Sequence, residues 1–191
     1  MRIQILSGDE VQVFLSYLDK LPSRDNLLLR LMLQCGLRCG EVSALNVEHV
    51  WRDGYVHPAV NVVRGTTKGH KGRFVDIPGP LVPLIRDYMV MYSRSWSNFL
   101  PSDPLFRGSK RRSRLGVSGI GRIVSVISLT SLGRRIHPHV LRHTYATVLL
   151  KHTNIRVVQQ LLGHARVNTT QIYTHVSSED CKNAVNHAFD H

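Results

Sequence analysis

The chain has 191 residues, 42% of them hydrophobic, which suits one sizeable domain or two small ones and excludes a disordered polymer. No apolar run approaches the ~20 residues of a membrane span, and Met1-Arg2-Ile3-Gln4-Ile5-Leu6-Ser7 turns polar too soon for a signal peptide. Net charge is +12, and the three cysteines (Cys35, Cys39 and Cys181) can neither all pair nor match zinc-knuckle spacing, so a reducing, cytoplasmic setting is expected.

Ser7-Gly8-Asp9-Glu10 reads as a capping box opening a helix with Val11, Phe14, Leu15 and Leu18 on one face. After Pro22-Ser23 a leucine-rich helix runs from about Asp25 to Cys35, with Gly36 as its C-cap, and a short helix spans about Gly40 to Leu45. Residues 47–77 are rich in β-formers, and the turns Asp53-Gly54 and Lys68-Gly69-His70-Lys71-Gly72 divide them into a small antiparallel sheet of about three strands. Pro80 to Met91 is helical again. Arg107-Gly108-Ser109-Lys110-Arg111-Arg112-Ser113-Arg114 holds five basic residues in eight, as either a solvated loop or a clamp on nucleic acid. Helices are expected at 117–128, 138–151, 154–162, 168–173 and 179–189. With no internal repeat or low-complexity linker, one mostly α domain with a small antiparallel sheet (α+β) spans 1–191.

Placement of charge is more telling than its size. Residues 1–103 carry 12 Lys/Arg against 10 Asp/Glu, whereas residues 104–178 carry 12 Lys/Arg, six histidines and no acid. Ordinary surfaces intersperse the two signs. A surface this one-sided binds a polyanion through counterion release.

Within that frame a few residues combine into chemistry. Arg38 lies between Gly36 and Gly40, and Glu41 either fixes it or simply favours the start of the next helix. Lys68 and Lys71 share the Gly-rich turn. His139 and Arg142, three apart on a helix entered through Pro138, share a face; Leu141, Tyr145, Val148 and Leu149 mark a core face. Gly163 permits a left-handed cap from which His164 projects. His143 and His175 read as structural. A guanidinium clamps phosphate through two N–H groups, histidines move protons near neutral pH, and tyrosine can be a covalent nucleophile. Each residue alone has a bland explanation: a lone tyrosine is usually half-buried packing. Their joint occurrence in this order is what carries the argument.

The chain resembles the catalytic domain of the tyrosine recombinases, the phage integrase family, and is most similar to Xer-type members. The words that carry the resemblance are Cys35-Gly36-Leu37-Arg38-Cys39-Gly40-Glu41, Thr67-Lys68-Gly69-His70-Lys71-Gly72-Arg73, the run His139 to His143, Leu161-Leu162-Gly163-His164, and Thr169-Thr170-Gln171-Ile172-Tyr173-Thr174-His175-Val176. The resemblance implies Arg38 and Arg142 as phosphate clamps, Lys68 as the acid toward the leaving 5′-oxygen, His139 as a base, His164 as a phosphate hydrogen-bond donor and Tyr173 as the nucleophile. Lys71, Arg73, Lys110, Arg111, Arg112 and Arg114 are expected to contact DNA. No cofactor or metal is expected, since the arginines supply the positive charge. The expected partners are double-stranded DNA and further copies of the chain, a tetramer on DNA, with no membrane.

Family members usually add an N-terminal helical domain, which is not expected within these residues since the motifs begin near residue 36; the chain is expected to be either a fragment or similar to the short members that are little more than the catalytic domain. The tail 177–191 is expected to form a helix with Cys181, Val185, Ala188 and Phe189 on one face, which the resemblance implies docks on a neighbouring protomer, the alternative being that it folds back on its own domain. Two other classes stay open: a DNA-binding protein on this scaffold that does not recombine, and a metalloprotein using His137, His139, His143, His164 and Cys39. The second has no carboxylate ligand in the acid-free stretch and no zinc-site spacing.

Overall fold

The structure, a computed structural model, describes residues 4–62, 72–108 and 113–163. Helix α1 (Gly8–Leu18) opens with the expected capping box: Ser7 Oγ accepts from Glu10 N at 3.1 Å and Glu10 Oε2 accepts from Ser7 N at 2.9 Å. Phe14 and Leu18 are fully buried, while Val11 and Leu15 pack on the core edge. Helix α2 (Ser23–Gln34) is apolar almost all round and forms the centre, with Leu27, Leu28, Leu29, Leu31, Met32 and Leu33 all buried. Burying each such leucine stabilises the fold by about 1.5–3 kcal/mol. The buried cation of α2, Arg30, is satisfied by Asn26 Oδ1, Asp19 and the Leu15 carbonyl.

Gly36 ends α2 with φ +63°, as its C-cap role requires. A Cβ there would also collide with the Tyr145 ring, so this glycine is needed twice. Helix α3 (Cys39–Ala44) follows, then a single 3₁₀ turn (Val47–His49).

The expected three-stranded sheet is instead two separate two-stranded pairs. Strands β1 (Trp51–Arg52) and β2 (Tyr55–Val56) pair across Asp53-Gly54, both of which have positive φ, as a tight hairpin turn requires. Strands β3 (Ala59–Val62) and β4 (Arg73–Asp76) form the second pair, in register Val60↔Val75 and Val62↔Arg73. Between β2 and β3 stands Pro58, which has no N–H to offer a ladder, so the pairs do not merge. The turn holding Lys68 and Lys71 lies outside the described residues.

Helix α4 (Leu81–Ser95) and helix α5 (Val117–Leu132) both run four residues beyond expectation. In α5 the polar Thr130 and Ser131 fold their hydroxyls onto the Val126 and Ile127 carbonyls, and Gly133 stops the helix at φ +70°. Helix α6 (Pro138–Leu150) starts behind His137, whose Nδ1 accepts from His139 N at 3.4 Å. Its buried side is broader than one stripe: Val140, Leu141, Thr144 and Ala146 are buried, while Val148, expected in the core, is 43% exposed. The cause is that α6 packs on α2, α5 and α7 together. Helix α7 (Ile155–Leu162) is capped by Asn154 and closed by Gly163 at φ +63°.

The basic loop is half structural. Arg107 and Arg114 pair across it, and Gly108 N donates to Ser113 O at 2.9 Å. Arg107 is buried against Tyr92 and Trp96, with Asp103 as its counter-ion. Arg114 donates to the Ser43 and Leu45 carbonyls and to Asn46 Oδ1, which closes the end of α3. Lys110, Arg111 and Arg112 lie outside the described residues, as do the helices expected at 168–173 and 179–189. Among the described residues, no helix is long and apolar enough to cross a membrane.

Candidate active site

Three elements converge on one carboxylate. Glu41, in the first turn of α3, accepts from Arg38 N at 2.7 Å and from Arg38 Nη1 at 2.9 Å. Arg73, the first residue of β4, forks onto it with Nη1 at 2.6 Å and Nη2 at 3.1 Å. Arg142 of α6 brings Nη1 to 3.8 Å. Both readings left open for Glu41 are therefore realised: it holds Arg38 and also sits at a helix start, where negative charge is favoured. Burial alone would raise its pKa. The hydrogen bonds and charge of Arg73, then the Arg38 amide and the Arg142 charge, hold it at about 2 instead. Three guanidiniums against one carboxylate leave the cluster net positive, as an anion site requires.

Arg142 is 3% exposed. It donates to Gly36 O at 2.5 Å and Leu162 O at 2.6 Å, so one side chain ties the α2–α3 connection to the end of α7. A buried charge persists only with such partners. Arg38 is more open, with 30% of its side chain accessible.

His139 stands one turn before Arg142, at the exposed start of α6. Its ring stacks on His137 (centroids 5.3 Å apart, 14° between planes) and tilts toward His143 at 6.2 Å. Burial, then His137, Arg142 and Arg38, push the His139 pKa below its ordinary value. The shift favours the uncharged imidazole, the form able to accept a proton. Burial and the same neighbours, His139 and Arg142, act likewise on His143.

The structure thus brings together Arg38, His139 and Arg142 from the expected set. Lys68, His164 and Tyr173 lie outside the described residues, as do Lys71, Lys110, Arg111 and Arg112. Arg73 and Arg114, both expected on DNA, have their guanidiniums engaged within the protein. Sequence reasoning missed that Arg73 belongs to the Glu41 cluster, because the two lie 32 positions apart. Among the described residues, no three His, Cys, Asp or Glu side chains converge as metal ligands would.

Two arginines and a histidine are thus gathered at the junction of α3, α6 and α7, residue types that could hold a phosphate. Residues 4–180 match the phage integrase family, and the chain belongs to it. The match extends over the positions of Lys68, His164 and Tyr173. Among its relatives, a tyrosine recombinase of Pseudothermotoga lettingae is 39% identical over 95% of this chain and 59% of that protein. The tyrosine recombinase XerA of Pyrococcus furiosus is 34% identical over 96% of this chain and 61% of its own length. The chain therefore spans only part of the curated relatives it matches. A crystal structure of XerA recombinase superposes with a TM-score of 0.78 at 30% identity, covering 97% of this chain and 65% of the other. The XerH recombinase bound to its palindromic difH substrate shares the fold, with a TM-score of 0.76 at 24% identity, covering 97% and 53%.

Proposed function

We propose that this chain cuts and rejoins DNA strands as the catalytic part of a site-specific tyrosine recombinase. The observation that carries this reading is the cluster of Arg38 and Arg142 on Glu41, with His139 one turn away, in a chain that belongs to the phage integrase family. The phenolic oxygen of Tyr173 attacks the scissile phosphorus as His139 draws off its proton. The bond from phosphorus to the 5′-oxygen breaks, and Lys68 donates the proton that makes a free 5′-hydroxyl. Arg38 and Arg142 hold the charge that builds on the non-bridging oxygens, with His164 as a further donor. The 3′-phosphotyrosyl link conserves the bond energy, and a second DNA's 5′-hydroxyl reverses the step. Incubating the protein with nicked duplex DNA tests this: a denaturant-resistant protein–DNA adduct that forms in the presence of chelator is expected. Its absence on every duplex carrying the cognate site counts against the reading.

DNA is held by the acid-free segment. The structural role of Arg114 narrows the contacts assigned to the basic loop to Lys110, Arg111 and Arg112. Neutralising those three is expected to flatten the fall of log affinity with log salt by ~0.9 per lost phosphate contact. Arg114→Ala is expected to lower stability instead, since Ser43 O and Leu45 O lose their donor. A slope unchanged in the triple variant removes the loop from the DNA interface.

On DNA the chain acts as a tetramer. An apolar groove of about 250 Å³ between α1, α2 and α6, lined by Val11, Leu15, Leu33, Tyr145, Val148 and Leu149, suits the apolar residues Cys181, Val185, Ala188 and Phe189 of a neighbouring protomer's tail. Deleting residues 179–191 is then expected to impair assembly on DNA more than cleavage of a single site. Equal losses would place the tail on its own domain.

A further inference from the structure

We propose that Arg73 is a positioning residue: it leaves DNA alone and locks Glu41, and through it Arg38, against the end of α7. This rests on the strand-cleaving function proposed above. All three guanidinium nitrogens of Arg73 have protein partners. Nη1 and Nη2 fork onto the two oxygens of Glu41, and Nε donates to the Leu161 carbonyl at 3.0 Å. The Arg73 and Glu41 side chains are similarly enclosed, so little water competes for these bonds. A lysine has the charge but not the planar fork, so its single nitrogen cannot reproduce the two-pronged contact with the carboxylate while a separate nitrogen holds the carbonyl.

The surroundings are built around this guanidinium. Leu161 O and Leu162 O are successive carbonyls at the C-terminal end of α7, where a cation is favoured. Arg73 takes the first and Arg142 the second, at 2.6 Å. Both arginines also face Glu41, so the helix end, the carboxylate and the phosphate-clamping Arg142 form one rigid unit. Gly163 completes it: a Cβ there would meet Arg73 Cδ at 2.9 Å and Nε at 3.2 Å. A side chain at this position would push the guanidinium off its partners.

The arrangement has a consequence for catalysis. A buried carboxylate beside two phosphate-binding arginines competes with the scissile phosphate for their donors. Arg73 occupies both oxygens of Glu41 and balances its charge. Glu41 then fixes the direction of Arg38 without drawing it, or Arg142, away from an incoming anion. Conversely, an Arg73 that swung out to a phosphate would leave Glu41 under-compensated, a costly state for a group so buried.

The test uses the full chain and nicked DNA, and reads three quantities: the dissociation constant with its salt slope, the cleavage rate at saturating DNA, and thermal stability. For Arg73→Ala we expect a dissociation constant and salt slope close to wild type, with cleavage at saturation slowed roughly 100-fold, the loss that a small misplacement produces. Arg73→Lys should recover only part of the rate. The double variant Arg73→Ala/Glu41→Gln should be no slower than the slower single variant, because one residue acts through the other. A salt slope reduced by ~0.9 with the saturated rate retained would make Arg73 a phosphate contact and overturn the proposal. So would additive losses in the double variant, or wild-type cleavage by Arg73→Ala. Should the alanine variant fail to fold, the same readouts on Arg73→Lys decide. Failure of the wild type to form an adduct would strike at the recombinase function itself and is seen before any variant is made.

Discussion

Tyr173→Phe should abolish covalent capture of nicked DNA while binding stays near wild type. The substitution removes one oxygen and nothing else. The aromatic ring is retained and no cation is changed, so the electrostatic part of binding is preserved. The lost atom is the one that would bond to phosphorus, and no other group proposed for the site can form a phosphotyrosyl ester. The effect on the adduct should therefore be complete rather than graded. Denaturing electrophoresis of the protein with end-labelled nicked DNA reads it directly. A DNA-linked band of undiminished intensity in the Phe variant would remove Tyr173 as nucleophile. Loss of non-covalent binding alongside the adduct would mean that the hydroxyl does something besides attack.

Glu41→Gln should be the most damaging single change among the described residues of the cluster. It leaves Arg38, Arg73 and Arg142 around a neutral amide, and Arg73 and Arg142 are too buried for water to compensate. Holding the carboxyl at about 2, against an ordinary 4.5, corresponds to roughly 3 kcal/mol at pH 7. For a chain of this size the expected fall in Tm is about 6–12 °C. The pH dependence follows from the direction of the shift. A carboxyl whose pKa is depressed by folding contributes in full above its unfolded value, near 4.5, and its contribution disappears as pH falls toward about 2. The wild type should thus lose stability across that acid window, and the Gln variant should converge on it there. Cleavage should also slow, since Arg38 loses the partner that orients its guanidinium. Denaturation of both proteins at pH 7 and near pH 3 checks the first point. A stability difference that is the same at both pH values would mean that the carboxylate's charge is not what holds the cluster.

Local signals in the chain were strong wherever the physics is local. The capping box at Ser7 and Glu10 needs only neighbours in sequence, and it formed as read. So did the left-handed stops at Gly36 and Gly163 and the proline entry to α6. These depend on backbone conformations that a glycine permits or a proline prefers, whatever the rest of the chain does. The sheet was misread for a reason that was also local: Pro58 interrupts the ladder, and its missing N–H outweighs the run of β-formers around it. Helix lengths erred where polar residues, Thr130 and Ser131 above all, satisfied themselves on the preceding turn instead of ending the helix.

Charge required the fold. In sequence, Arg73 and Arg114 are two more cations in a basic protein, indistinguishable from Lys110 or Arg112. Coulombic attraction and carbonyl capping act through space, and only folding sets Arg73 beside a carboxylate 32 residues away or Arg114 over the end of α3. The sequence alone pointed to the kind of chemistry proposed, because arginine, histidine and tyrosine carry their reactivity in their side chains. It also determined the family, through short words whose order a helical frame preserves. The tertiary structure decided which of the described cations are turned inward to hold other parts of the fold, Arg73 and Arg114 among them. That placement depends on burial and on where each charge finds its partner, and neither is written in the spacing of residues along the chain.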